Sequence, residues 1–256
     1  MAGMLRTCMT AKDPNALHIV LCPFAGGSSG AFRSWVTVES AGVSVSLAVY
    51  PGRDHRMDDP CAECIDDLAD QLVEAIHTAG IDPRKAVLAG HSMGAQVAFE
   101  TCARLEQLGE GPAGLALSGC HAPHLRGRRL LSHRDDEGFL AQLIDIGGCS
   151  PELLGDPALL AVFLPMLRAD FSATESYHRS PPSDRQRLRT PALLIHGTND
   201  EEAHRHEVAA WSAWLRDADG PVAISGDHFY VTQRPRAFIS HVLRRFESTS
   251  TSIDVR

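Results

Sequence analysis

Apolar positions along this chain gather into short β-type runs, and amphipathic stretches with helical spacing separate them. Residues 17–22 form a strongly apolar run that stops at Pro23 and predicts a buried strand; 43–49 predict a second, closed by Tyr50-Pro51-Gly52-Arg53. Phe32, Trp35 and Val36 mark a helix over 31–38, and Ile65, Leu68, Leu72 and Ile76 mark another. Val87-Leu88-Ala89 then runs into Gly90-His91-Ser92-Met93-Gly94, and the chain leaves as a helix carrying Val97, Ala98, Ala103 and Leu105. Further strands are predicted over 114–118, 191–196 and 222–224, and a closing helix carries Phe238, Ile239, Val242, Leu243 and Phe246. Strands alternating with helices predict an α/β fold with a mostly parallel central sheet flanked by helices.

One stretch breaks the alternation. From 118 to 189 the pattern is helical (Phe139, Leu140, Leu143, Ile144; then Leu159 to Leu167), interrupted by Gly147-Gly148 and Pro151, with no clear strand. It predicts a helical insertion, a lid, within a single domain spanning 1–256. Its apolar faces suit either plain packing or a tunnel for an apolar chain.

Composition narrows the class. A length of 256 residues suits one large domain, and 44% apolar with 22% charged residues is globular. No run is long enough for a membrane-spanning helix, and the first residues lack the apolar core of a signal peptide. Cys22, Cys102 and Cys120 sit in apolar or helical segments, as reduced thiols do, so a cytoplasmic compartment is expected. Cys61-Ala62-Glu63-Cys64 has no second Cys/His pair at metal-site spacing and reads as structural; no metal site is expected. A net charge of −8 argues against a general nucleic-acid binder, despite the local run Arg126, Arg128, Arg129, Arg134. The Ser/Thr-rich tail after Phe246 predicts a frayed end, and a monomer is the expected state.

The chemistry centres on Ser92. A strand, Gly-x-Ser-x-Gly and a helix in that order make a nucleophile elbow, with glycines where Cβ atoms would collide with the neighbouring strand and helix. The turn sets a hydroxyl at a helix N-terminus, where free N–H groups and the dipole favour an oxyanion. The loop Phe24-Ala25-Gly26-Gly27 is the natural second donor, through the Phe24 amide or, one residue on, Ala25. Two polar clusters also follow strands, Asp200-Glu201-Glu202 and Asp227-His228. In a parallel sheet they converge on the edge that holds Ser92, and Ser92, Asp200, His228 is the chain order of an α/β-hydrolase triad. Glu201 and Glu202 compete with Asp200 as the acid. His196, His204 and His206 are set aside as bases or ligands, and Arg53, Asp54, His55 and Arg56 are rim candidates or a solvated loop.

With these residues in place, the chain resembles the type II thioesterases that accompany nonribosomal peptide and polyketide synthases. The resemblance rests on Cys22-Pro23-Phe24-Ala25-Gly26-Gly27 with Trp35, Tyr50-Pro51-Gly52-Arg53, Gly90-His91-Ser92-Met93-Gly94, Leu164-Pro165-Met166-Leu167-Arg168-Ala169-Asp170-Phe171 and Gly226-Asp227-His228-Phe229. It implies hydrolysis of acyl groups from the phosphopantetheine arm of acyl or peptidyl carrier proteins, with Ser92, Asp200 and His228 as the triad and the amides of Met93 and Phe24 as the oxyanion hole. Ala25, His91, Arg126, Arg128 and Arg129 are further candidates at the substrate site or lid. The sequence departs from the family pattern after Asp200, where Glu201 and Glu202 follow, and at Asp227, where glycine is commoner. Because a thiolate leaves without full protonation, neither a metal nor an organic cofactor is required. Carrier domains are generally acidic, so the arginines of the lid are expected to offset the overall negative charge. Rival readings are an acyltransferase between carriers, an esterase for small oxygen esters and a non-catalytic binding partner.

Overall fold

The computed structural model describes residues 3–38, 42–148 and 156–247. Pro151 and the Ser/Thr-rich tail beyond 247 lie outside the described residues. Seven strands form one sheet: β1 (Leu5–Met9), β2 (His18–Cys22), β3 (Ser44–Ala48), β4 (Ala86–His91), β5 (Gly114–Ser118), β6 (Ala192–Gly197) and β7 (Ala218–Ile224), in the order β1-β3-β2-β4-β5-β6-β7. Only β1 is antiparallel to its neighbour; the other pairs are parallel. Central strands of such a sheet are covered on both faces and must be apolar throughout. β4 and β5 are accordingly buried at every position.

Helices α2 (Ile65–Thr78) and α3 (Met93–Gln107) build a core on one face with Leu68, Leu72, Phe99 and Trp211. On the other face, α1 (Arg33–Val36) and α8 (Pro235–Phe246) pack Trp35, Phe238 and Phe246 against Ile19, Val45 and Val87. Cys64 caps α2, its thiol accepting from the Asp67 amide at 3.4 Å, which gives the Cys-x-x-Cys a structural use. The six described cysteines are free thiols, and burial pushes Cys22 and Cys102 up to about 12.

Between β5 and β6 the chain adds α4 (Asp136–Asp145) and α5 (Pro157–Ser176), whose Phe139, Leu140, Leu143, Met166 and Leu167 form a small core of their own. The sequence pattern misses three things. β1 has too little alternation to read as a strand, because it is an edge with two exposed positions, Arg6 and Thr7. β7 begins four residues earlier than its apolar run, passing through Gly220-Pro221 with an irregular register, which an outer strand tolerates. After β6 a short helix, α6 (Arg205–Ala209), continues into a 3₁₀ segment that buries Trp211 and Trp214. The short helix α7 (Tyr230–Gln233) precedes α8.

Candidate active site

Ser92 joins β4 to α3 with φ 55° and ψ −124°, a conformation that side chains rarely adopt. The crowding that enforces it is severe. A Cβ on Gly90 would stand 2.0 Å from the Gly94 carbonyl oxygen, and one on Gly94 would stand 2.1 Å from that of Cys22. Gly94 therefore lets α3 press against Cys22 and Pro23, which brings the Met93 end of the helix beside the loop that begins at Phe24. The Ser92 hydroxyl makes no hydrogen bond among the described residues and borders a cavity of about 110 Å³, together with His228, Phe24 and Ala25.

His228 follows β7 and is held from behind. Its Nδ1 lies 3.0 Å from both carboxylate oxygens of Asp200. Asp200 in turn accepts from the amides of Glu202 and Ala203, at 2.9 and 3.0 Å. Burial opposes ionisation of Asp200, but its bonds to His228 and to Ala203 outweigh that cost and hold the carboxyl below the usual range. The competing acids are otherwise engaged: Glu202 pairs with Arg129 at 3.0 Å and Glu201 is exposed. Asp227 caps the following turn, accepting from the Phe229 amide and Gln233. The two departures from the family pattern thus leave the contact between Asp200 and His228 intact. His204 caps α6 and His196 bonds its neighbour's carbonyl, and neither lines the cavity that Ser92 borders.

Two expectations need correction. His91 does not reach substrate: it is fully buried, and its Nε2 donates to the backbone carbonyl of His228 at 2.7 Å. Arg53 belongs neither to the rim nor to a solvated loop. It is 2% exposed and grips Asp170 of α5 with two bonds of 2.7 Å while also donating to Gly27 O at 3.3 Å. Asp170 Oδ2 accepts from the Gly26 amide at 2.7 Å as well. The glycine loop beside Ser92 is therefore tethered to the helical insertion through one carboxylate. An aspartate among the buried Met166, Leu167, Ala169 and Ala173 was the signal, since a charge on an apolar helix face demands a buried partner.

The cavity is mixed in character. Leu131, Leu143, Ile146, Phe171 and Phe229 line it with apolar surface, while His121, Glu175, Tyr177 and the arginines line it with polar groups. The insertion's apolar residues thus serve both its own core and the cavity. Of the lining arginines, Arg128 pairs with Glu207 at 3.0 Å and Arg129 with Asp145 and Glu202; Arg126 is exposed and has no ion pair among the described residues.

Known proteins resemble this chain in sequence and in fold. The family model for a thioesterase domain matches residues 17–246. A probable anguibactin biosynthesis thioesterase, AngT of Vibrio anguillarum, is 42% identical over 253 residues, covering 98% of this chain and all of that protein. Thioesterase PikA5 of Streptomyces venezuelae is 38% identical over 86% of this chain and 78% of its own length. Among solved structures, YbtT, a type II thioesterase from the yersiniabactin NRPS/PKS pathway, superposes with a TM-score of 0.92 at 51% identity, covering 96% of this chain and 99% of its own. RedJ, a thioesterase from the prodiginine pathway of Streptomyces coelicolor, superposes with a TM-score of 0.82 at 29% identity, over 93% and 94% of the two chains. With this fold, and with relatives matched end to end, the chain belongs to the thioesterase family, among the type II enzymes of nonribosomal peptide and polyketide biosynthesis, and is a thioester hydrolase.

Proposed function

We propose that the enzyme clears acyl groups from the phosphopantetheine arm of carrier proteins by a Ser92–His228–Asp200 mechanism. The observation that carries this reading is the paired contact of Asp200 with His228 Nδ1, which leaves Nε2 as the free nitrogen of an imidazole bordering the same cavity as Ser92. Nε2 takes the proton from Ser92 as Oγ attacks the thioester carbonyl; the charge that develops on the carbonyl oxygen is met by the amides of Met93 and Phe24. Collapse of the adduct breaks the C–S bond, and the departing pantetheine sulfur receives the proton from His228. A water deprotonated by His228 then attacks the acyl-Ser92 ester, which releases the acid and restores the serine. Asp200 orients the imidazole and stabilises its charged form throughout. No step requires a cofactor. The helices of the insertion, as a lid, close the acyl side of the site.

The deciding measurement is free-thiol release from an acetylated carrier protein, run beside an oxygen ester and with Ser92→Ala as control. Faster release from the carrier, abolished by the substitution, is expected. Preference for the oxygen ester with the carrier left loaded would overturn the substrate assignment, and acyl transfer to a second carrier in place of free acid would make the enzyme an acyltransferase. The arginines that line the cavity give the reading a second test. Charge reversal at Arg126 and Arg128 is expected to slow hydrolysis of the carrier-bound acyl group about 3- to 10-fold, with a small acyl-pantetheine thioester unaffected.

A further inference from the structure

His91 sits one residue before the nucleophile, yet the mechanism above gives it nothing to do. Its ring is fully buried, as are Ser118 at the end of β5 and Tyr230 at the start of α7. The three side chains form one hydrogen-bonded file: His91 Nδ1 to Ser118 Oγ at 2.9 Å, and Ser118 Oγ to Tyr230 OH at 2.5 Å. The other ring nitrogen meets the His228 carbonyl at 2.7 Å, and the two imidazoles lie 4.9 Å apart between centroids.

The direction of every proton in this file follows from what each atom can do. A carbonyl only accepts, so His91 Nε2 carries hydrogen. Burial, and then the neighbouring His228, lower the His91 pKa to about 3, so the ring is neutral and Nδ1 is a bare acceptor. Ser118 spends its one proton on Nδ1, so its oxygen accepts from Tyr230, whose hydroxyl also lies 3.2 Å from Ile195 O. That carbonyl already accepts from the Gly119 amide, so it does not compel the tyrosine proton to turn away from Ser118. Space pins the ring as well as bonding does: Gly119 has φ +53°, and a Cβ there would stand 2.4 Å from His91 Cε1.

We propose that His91 is a positioning residue for the catalytic base: the Tyr230–Ser118–His91 file fixes one neutral tautomer, whose Nε2–H anchors the His228 backbone so that the imbalance of forces on the imidazole when it is protonated does not shift it from Ser92. This rests on His228 being the base. Asp200 holds the imidazole from its Nδ1 side, and His91 holds the main chain from which that imbalance is resisted. Its task is geometric, and misplacing a reacting group by about 1 Å costs as much as 100-fold in rate.

The test uses His91→Leu, which removes the donor, and His91→Gln, whose amide nitrogen extends to the place of Nε2. For thiol release from an acetylated carrier, we expect His91→Leu to lower kcat about 10-fold or more with KM unchanged, and His91→Gln to recover kcat to within about 3-fold of the parent enzyme. Ser118→Ala, a smaller change at the far end of the file, is expected to lower kcat about 3-fold or more with KM unchanged, and it carries the test alone if the leucine variant does not fold. Full kcat in His91→Leu, equal losses in the leucine and glutamine variants, or a loss confined to KM would overturn the proposal. If the leucine variant does not fold, full kcat in Ser118→Ala does so. His228→Ala, run alongside, separates the two levels: activity surviving that substitution defeats the assignment of the base itself, whereas its abolition with full activity in His91→Leu defeats only the positioning role.

Discussion

Two buried carboxylates, Asp170 and Asp200, are built for opposite purposes. Asp170, on the inserted helix α5, faces a guanidinium whose charge never changes and accepts from the Gly26 amide of the glycine loop. Asp200, after β6, faces the His228 imidazole, whose charge changes in every turnover of the proposed mechanism. Both are nearly out of solvent. Their partners decide which one is scaffold and which one is chemistry, and that difference is not visible from burial or from residue type.

The largest effect is expected from neutralising Asp200, the carboxylate of the proposed triad. Asp200→Asn keeps the shape but favours the wrong imidazole tautomer, and kcat is expected to fall about 10⁴-fold with the melting temperature little changed. An intermediate effect comes from the scaffold carboxylate. Asp170→Ala leaves Arg53 charged, buried and unpaired, a loss of about 3–5 kcal/mol, which for a chain of this size lowers Tm by roughly 6–20 °C. Differential scanning calorimetry reads this directly; a Tm within a degree of the parent would show that the pair is not the strut described.

The smallest effect separates the two sides by pH. Folded His91 binds a proton only near pH 3, whereas an unfolded imidazole does so near 6.5. Stability from this group is therefore complete above pH 6.5 and is lost as pH falls toward 3, by up to about 1.4 kcal/mol per pH unit. Asp200, with its folded pKa depressed, contributes above the usual carboxylate range and loses that contribution only at still lower pH, as its folded pKa is crossed. Urea denaturation of the parent and of His91→Gln between pH 7 and 4 is expected to give the parent the steeper decline. Parallel declines would show that His91 takes up its proton over the same pH range in the folded protein as in the unfolded chain.

Much of the fold was legible because a buried parallel sheet leaves an unambiguous record: five of the seven strands coincide with apolar runs, and β7 shares only its last three residues with one. β1 left almost none, since its edge position exposes Arg6 and Thr7. The members of the site were legible where chemistry dictates residue type and position together, as at Ser92, flanked by two glycines that have no room for a Cβ. Arg53 and His91 were misplaced because their roles depend on contacts 117 and 137 residues away, which local pattern does not encode. Asp170 lies within the Leu164–Phe171 segment, where its role is hidden for the same reason.

The tether between Asp170 and Gly26 has a consequence for engineering. A designer wishing to change acyl preference would exchange the helical insertion between relatives as though it were an interchangeable part. Here the part carries one of the fastenings of the glycine loop that holds the proposed oxyanion donor. A graft that brings in a foreign helix without a matched aspartate, or without the Pro51-Gly52-Arg53 corner that receives it, alters turnover for every substrate at once. Loss of rate in such a chimera would then report a broken fastening, not a changed preference, and the two segments should be transplanted as a pair.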